Sequence, residues 1–301
     1  MSEFEVRGNN AGVIEVKCSS WLGFMSFIDE KQPAAHGLVY RGQMDSEWPI
    51  ESTLLRATKA DLKHNHTDWV EQAVERVASD WASMRGGMIM QSYAAHLGVQ
   101  QQQSLTDQQA WMIGRHQGLL TPFVDWSRSP YVAAFFATVE VVERLLERED
   151  RECVVYGISS WLFPFQLSKN SADNGNLARH ALKVDAAIYG NRRAIAQQAI
   201  ATYLFPEIDI QAFVEETNSN RAHDRESLYR ITIPYKAAQQ ALIHLNRMNV
   251  NYLSLFPDDF GLAKHANLNL YSPSYAGTGN WMTPPGFETL IPKEESEEHG
   301  R

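Results

Sequence analysis

The sequence predicts a mixed α/β or α+β domain on three observations. Short β-rich apolar runs recur along the chain, reading GVIEVK, HGLVYRG, CVVYGI and YRITIP. Between them lie stretches whose apolar residues return at helical spacing. Glycine-, serine- and asparagine-bearing segments separate the two kinds.

The run Gly12 to Lys17 alternates and reads as an early or edge strand, after which Ser19 and Ser20 offer caps for a helix over WLGFMSFIDE. HGLVYRGQ follows as a buried strand ending in a turn at glycine. Trp69, Ala73, Val74, Val77 and Trp81 share one helical face, predicting a helix from a Thr67 cap to about Met84 that Gly86 and Gly87 stop. MIMQSYAAHLG fits a continuation as helix, and Gln100 to Gln103 read as an exposed loop. A second helix is expected over Thr106 to Gly114.

TPFVDW is a short strand, and Ser129 before Pro130 opens a long helix, because proline in the first turn lacks only a donor that would go unused there. CVVYGI reads as a central strand, followed by a polar loop around Asn170 to Asn176 and a strand near LKVDAAI. YRITIP is a further strand, YKAAQQALIHLNRM a helix, and Asn251 to Leu255 a last short strand. No internal repeat or linker divides the chain. Residues 1–290 read as one domain and 291–301 as an acidic flexible tail.

Composition narrows the function. With 44% hydrophobic residues, 301 residues can bury a substantial core, and a formal charge of -9 argues against a surface that binds polyanions as a whole. A local basic cleft stays open. No apolar run approaches the ~18 residues a membrane helix requires. The N-terminus lacks an apolar secretory core, so a cytoplasmic location and no membrane partner are expected. Cys18 and Cys153 stand far apart without a CxxC pair, and read as buried apolar groups rather than a disulfide or zinc site. No glycine-rich phosphate loop, HExxH or GxSxG occurs, and the histidines are scattered, so no metal site is expected.

Two segments could carry chemistry. Arg41, placed after an apolar strand and before Gly42, could grip a phosphate or carboxylate with paired hydrogen bonds; the same tripeptide also fits an arginine salt-bridged at a strand end. From Arg115 to Ala137, polar side chains surround a short strand and then open a helix, an arrangement suited to an anion or polar ligand. Taken singly, Asp125 and Ser127 also fit turn and cap roles, Trp126 a core position and His116 a satisfied histidine.

Three blocks together resemble the FRG-domain family. The first is Tyr40, Arg41 and Gly42, continuing through Trp48 to Arg56. The second is similar to the family's QHxGxxTxLLDWTxSPxxAxxFA pattern, carried by His116, Gly118, Thr121, Asp125, Trp126, Ser127, Ser129, Pro130, Ala133, Phe136 and Ala137. The third is Asn191, Arg193 and Gln197, with a weaker echo from Leu255 to His265. Arg115 departs from the family's glutamine, and Ala199 and Ala201 stand where glycine and phenylalanine are usual.

The order of these blocks is distantly similar to ADP-ribosyltransferases. That resemblance implies an α+β fold of split β-sheets packed with helices, and NAD as substrate. It further implies catalytic roles for Arg41, Asp125, Ser127 and Gln197, and dinucleotide binding by Tyr40, Arg41, Gly42, His116, Thr121, Trp126, Ser127, Ser129 and Arg193. The expected activity is transfer of ADP-ribose to a nucleic acid (RNA or DNA) or protein, in a toxin or anti-phage effector with an antitoxin or chaperone partner. The segment after Arg193 lacks the usual glutamate, leaving Asp125, Glu207 or Asp209 as candidate acids. A non-catalytic nucleotide- or phosphate-binding module of a defence or toxin-antitoxin system is the alternative, and a nuclease using His116 and Asp125 a third reading.

Overall fold

The computed structural model describes residues 3–30, 37–67, 69–101, 107–115, 117–144, 150–162, 180–185, 191–205, 207–219 and 226–271. The expected loop at 170–176, the Thr106 cap, His116 and the tail 291–301 lie outside them.

Eight strands form one open sheet among these residues: β1 (Phe4–Asn10), β2 (Val13–Cys18), β3 (Leu38–Gln43), β4 (Phe123–Ser127), β5 (Glu152–Ser159), β6 (His180–Asp185), β7 (Ala199–Phe205) and β8 (Leu228–Pro234). Their order is β1-β2-β8-β5-β3-β4-β7-β6, with β2 and β8 parallel and the other neighbours antiparallel. The fold is therefore α+β. The sheet is continuous but narrows at its middle: β3 pairs with β5 over its whole length, yet meets β4 only at Tyr40 and Ser127.

Side-chain alternation explains the layers. From β5, Cys153 and Val155 enter one core, while Val154, Tyr156 and Ile158 enter the other. The first core is covered by α1 (Trp21–Glu30), α5 (Pro130–Glu143), α8 (Ala238–Arg247), α9 (Tyr252–Leu255) and α10 (Asp259–Tyr271). The second receives Ile210, Phe213 and Val214 of α7 (Ile210–Ser219). Both cysteines are buried and unpaired, and burial pushes their thiols up to about 12.

Helix α5 sets the position of everything that follows. Ser129 caps it by accepting the Val132 amide, and Pro130 starts its first turn. The helix then presses onto β3 at Gly42, where a Cβ would lie 1.9 Å from the Ala133 carbonyl oxygen. Glycine is thus required beside Arg41 for close approach of helix and strand.

Several expectations are corrected. α3 runs Glu71–Gln101, straight through Gly86 and Gly87, and packs on α2 (Thr53–Asn65), a helix the sequence reading did not find. Gly86 is a notch for α2, since a Cβ there would come within 2.8 Å of Leu54. The shared core of Leu54, Leu55, Leu62, Val74, Ala78 and Ala82 outweighs the roughly 1 kcal/mol that each helical glycine costs. Asn251 to Leu255 form no strand: Asn251 caps α9 in a reciprocal box with Ser254. β1 was missed; it hairpins onto β2 through Ala11 and Gly12, both at positive φ. No described helix is long and apolar enough to cross a membrane.

Candidate functional site

A pocket of about 660 Å³ opens where β3 and β4 barely pair, well within the roughly 300–1,000 Å³ of small-molecule sites. β3 supplies Tyr40, Arg41, Gly42 and Gln43; β4 supplies Asp125, Trp126 and Ser127. Ala133, Phe136 and Glu140 come from one face of α5, and Arg193 and Gln197 from α6 (Arg192–Ala196) and its end. Arg56 of α2, Arg115 of α4 (Asp107–Arg115), Trp48 and Phe256 close the sides.

Arg41 spans the gap in the sheet. Its Nη1 donates to the Asp125 carbonyl at 2.9 Å and its Nε to Gln43 Oε1 at 3.2 Å, both neutral acceptors. Desolvation, opposed by Asp125 and reinforced by the like charge of Arg56, lowers its pKa to about 10, so it stays protonated at neutral pH. Arg56 donates to the Glu51 carbonyl at 2.6 Å. Among the described residues neither guanidinium forms an ion pair with a carboxylate.

The other two arginines are held by acids. Arg115 pairs with Asp125 at 2.6 Å, so Asp125 anchors Arg115 by its carboxylate and Arg41 by its backbone. Arg193 pairs with Asp258 at 2.5 Å, and its guanidinium lies 5.4 Å and 5.1 Å from the ring centres of Phe256 and Phe260. Four arginines against Asp125 and Glu140 give the pocket lining a local excess of positive charge, in a chain whose net charge is -9.

Ser127 and Gln197 brace this arrangement. Ser127 Oγ donates to the Gln197 carbonyl at 2.7 Å and accepts the Ser129 amide at 3.0 Å. Gln197 Nε2 donates to the Leu255 carbonyl at 3.1 Å. Gln198 takes a left-handed φ of 49°, and this turn leads α6 into β7 beside β4. The hydroxyl of Ser127 is thereby committed to fixing the end of β4 against the α6–β7 turn.

The pocket thus gathers Tyr40, Arg41, Gly42, Asp125, Trp126, Ser127, Arg193 and Gln197 of the residues expected from sequence. Ser129 is absent from its lining and caps α5. Thr121 is also outside: it is buried, and exchanges hydrogen bonds with Thr53 at the start of α2. His116 lies outside the described residues. Trp126 is 3% exposed and gives its indole N–H to Thr202 at 2.8 Å, so its ring belongs mainly to the core.

The candidate acids separate. Asp209 is spent on the amides of Ile50 and Gln211, and Glu207 lies in a different cavity. Sequence reasoning missed Arg56, Arg115, Glu140, Trp48 and Phe256 as site residues. Glu140 was legible in principle, because Ala133, Phe136 and Glu140 repeat at helical spacing along α5.

The described residues thus form an open α+β sheet with an arginine-rich pocket at its narrowest join. The family model for the FRG domain matches residues 36–144, and an FRG domain is present over that span. The span runs from β3 to the end of α5 and includes Arg41, Arg56, Arg115, Asp125 and Glu140; Arg193, Gln197 and Phe256 lie beyond it. No curated protein and no solved structure matches the chain.

Proposed function

We propose that this chain is an ADP-ribosyltransferase-like enzyme, a toxin or anti-phage effector that splits NAD and transfers ADP-ribose to a nucleic acid or protein. The observation that carries this reading is the presence of Arg41 and Arg56 in one pocket, each bound only by neutral acceptors. Unneutralised guanidinium groups facing a concavity are suited to a pyrophosphate, which offers several strong acceptors at once.

In this reading Arg41 and Arg56 hold the phosphates, while Trp48 and Phe256 offer aromatic faces to the bases. The bond from the nicotinamide nitrogen to the ribose carbon breaks, nicotinamide leaves with the bonding electrons, and an acceptor nucleophile attaches to that carbon as it loses its proton. Positive charge that grows on the ribose meets Asp125 or Glu140, the two carboxylates of the pocket. Ser127 and Gln197 act by positioning β4 and the α6–β7 turn rather than by touching the reacting atoms.

A second reading has a specific observation in its favour. Asp125 is tied to Arg115 and Glu140 to Arg144, and the segment from Arg192 to Phe205 contributes no acid. A non-catalytic nucleotide- or phosphate-binding module of a defence or toxin-antitoxin system needs the arginines and no free carboxylate.

Incubation with labelled NAD and cellular RNA, DNA and protein separates the two. The enzyme reading expects nicotinamide release and label transfer by wild type, both reduced roughly a hundredfold in Arg41→Ala. Binding of NAD without any nicotinamide release would favour the module, and equal turnover by both proteins would refute the role given to Arg41.

A further inference from the structure

A second cavity, of about 550 Å³, shares helix α4 with the first: Arg115 faces the arginine pocket and Trp111, one turn earlier, faces the second. Its chemistry is different. Along α3, Ala82, Gly86 and Met90 recur every fourth residue, and the small ones leave volume open; Trp111, Pro122 and Tyr203 add flat apolar walls. Glu207 is the one charged residue in this lining among the described residues.

That carboxyl is 4% exposed. Oε2 accepts a hydrogen bond from the Ser52 hydroxyl, whose oxygen in turn caps α2 by accepting the Leu55 amide at 2.9 Å. The other oxygen has no hydrogen-bond partner among the described residues, and no described lysine or arginine pairs with the group. On α2, Lys59 is engaged by Glu51 and Glu75, and Arg56 donates to the Glu51 carbonyl. Burial therefore pushes the Glu207 carboxyl up to about 7, with Glu51 adding like-charge repulsion and the Ser52 hydrogen bond opposing it.

A buried carboxyl with one open oxygen beside apolar and aromatic walls excludes anions by repulsion, and a neutral apolar ligand would leave it unpaired. A metal ion would require further ligands that this lining does not hold. We propose that the second cavity binds a small organic amine, its ammonium group against Glu207 and its aromatic or aliphatic body against Trp111, Pro122 and Tyr203. Aromatic faces and a carboxylate both favour a cation, so the two features select the same ligand class. This site is independent of the function assigned to the arginine pocket.

The test titrates the full chain calorimetrically with three probes of nearly equal shape: phenethylamine, 2-phenylethanol and 3-phenylpropionate. Wild type should bind the amine roughly tenfold or more tightly than the alcohol or the carboxylate, and Glu207→Gln should weaken the amine by roughly the same factor. Gly87→Leu is the second variant. Gly87 lines the cavity and a Cβ there meets nothing within 4 Å, so leucine fits without a clash at the cavity's edge and also removes a helical glycine. It should abolish amine binding while thermal unfolding stays the same or rises. The proposal is overturned if no probe binds at millimolar concentration, if amine and alcohol bind alike, or if neither substitution changes amine affinity.

Discussion

Replacing Glu207 with glutamine should make the protein's stability respond differently to pH, and the size of the change follows from the carboxyl's surroundings. In the unfolded chain the group titrates near 4.5; in the fold it titrates at about 7, chiefly because burial disfavours its charge. Between these values the folded state holds a proton that the unfolded state has released, so stability falls as pH rises. Below 4.5 both states are protonated and the penalty is absent; above 7 it is fully present. At about 1.4 kcal/mol per pKa unit, the interval of 2.5 gives an upper bound of about 3–4 kcal/mol, most of it falling between pH 5 and pH 8. Glutamine has no such titration and keeps an oxygen for Ser52. Urea unfolding at pH 5 and pH 8 should therefore show the variant gaining on wild type by up to about 3 kcal/mol, an effect large enough to measure. Glu51 and Asp209 are also pushed up by burial, in wild type and variant alike, so the difference between the two proteins isolates Glu207. A difference that stays flat with pH would show that the Glu207 carboxyl does not titrate above its unfolded value in the fold.

Two further substitutions test the frame around the arginine pocket. In Gly42→Ala the new methyl must move from 1.9 Å to at least 3.0 Å from the Ala133 carbonyl oxygen, displacing α5 from β3 by 1.1 Å or more; a loss of about 3 kcal/mol is expected by thermal or urea unfolding, and an unchanged midpoint would contradict the packing. Ser127→Ala strands the Gln197 carbonyl and the Ser129 amide, which should lower stability by about 1–3 kcal/mol and increase hydrogen exchange at Ser129; unaltered exchange there would contradict the bracing role.

The elements of this fold that could be read from sequence are those whose local pattern agrees with their final environment. CVVYGI is buried on both faces in β5, and Ser129 with Pro130 starts α5 in the usual way. Where tertiary packing overrides local preference the reading failed. Gly86 and Gly87 look like a helix stop until Leu54 is known to sit against Gly86. Asn251 and Ser254 form a cap that a short apolar run concealed. For the site, the adjacency of Arg41, Asp125 and Ser127 was expected from the resemblance, and the pocket gathers all three. The acids were harder, because Asp125, Glu140, Glu207 and Asp209 differ in what surrounds them rather than in type. Glu207 and Asp209 lie two residues apart, yet one lines a cavity while the other is consumed by the amides of Ile50 and Gln211.

In the proposed function Arg41 and Arg56 grip a dinucleotide's phosphates in the gap between β3 and β4. Calorimetric titration of NAD into wild type, Arg41→Ala and Arg56→Ala, at about 50 and about 200 mM salt, tests it most directly. Wild type should bind NAD with an affinity that weakens with salt and that falls roughly tenfold or more in each variant. Absence of wild-type binding, or equal affinity in all three proteins, would contradict it.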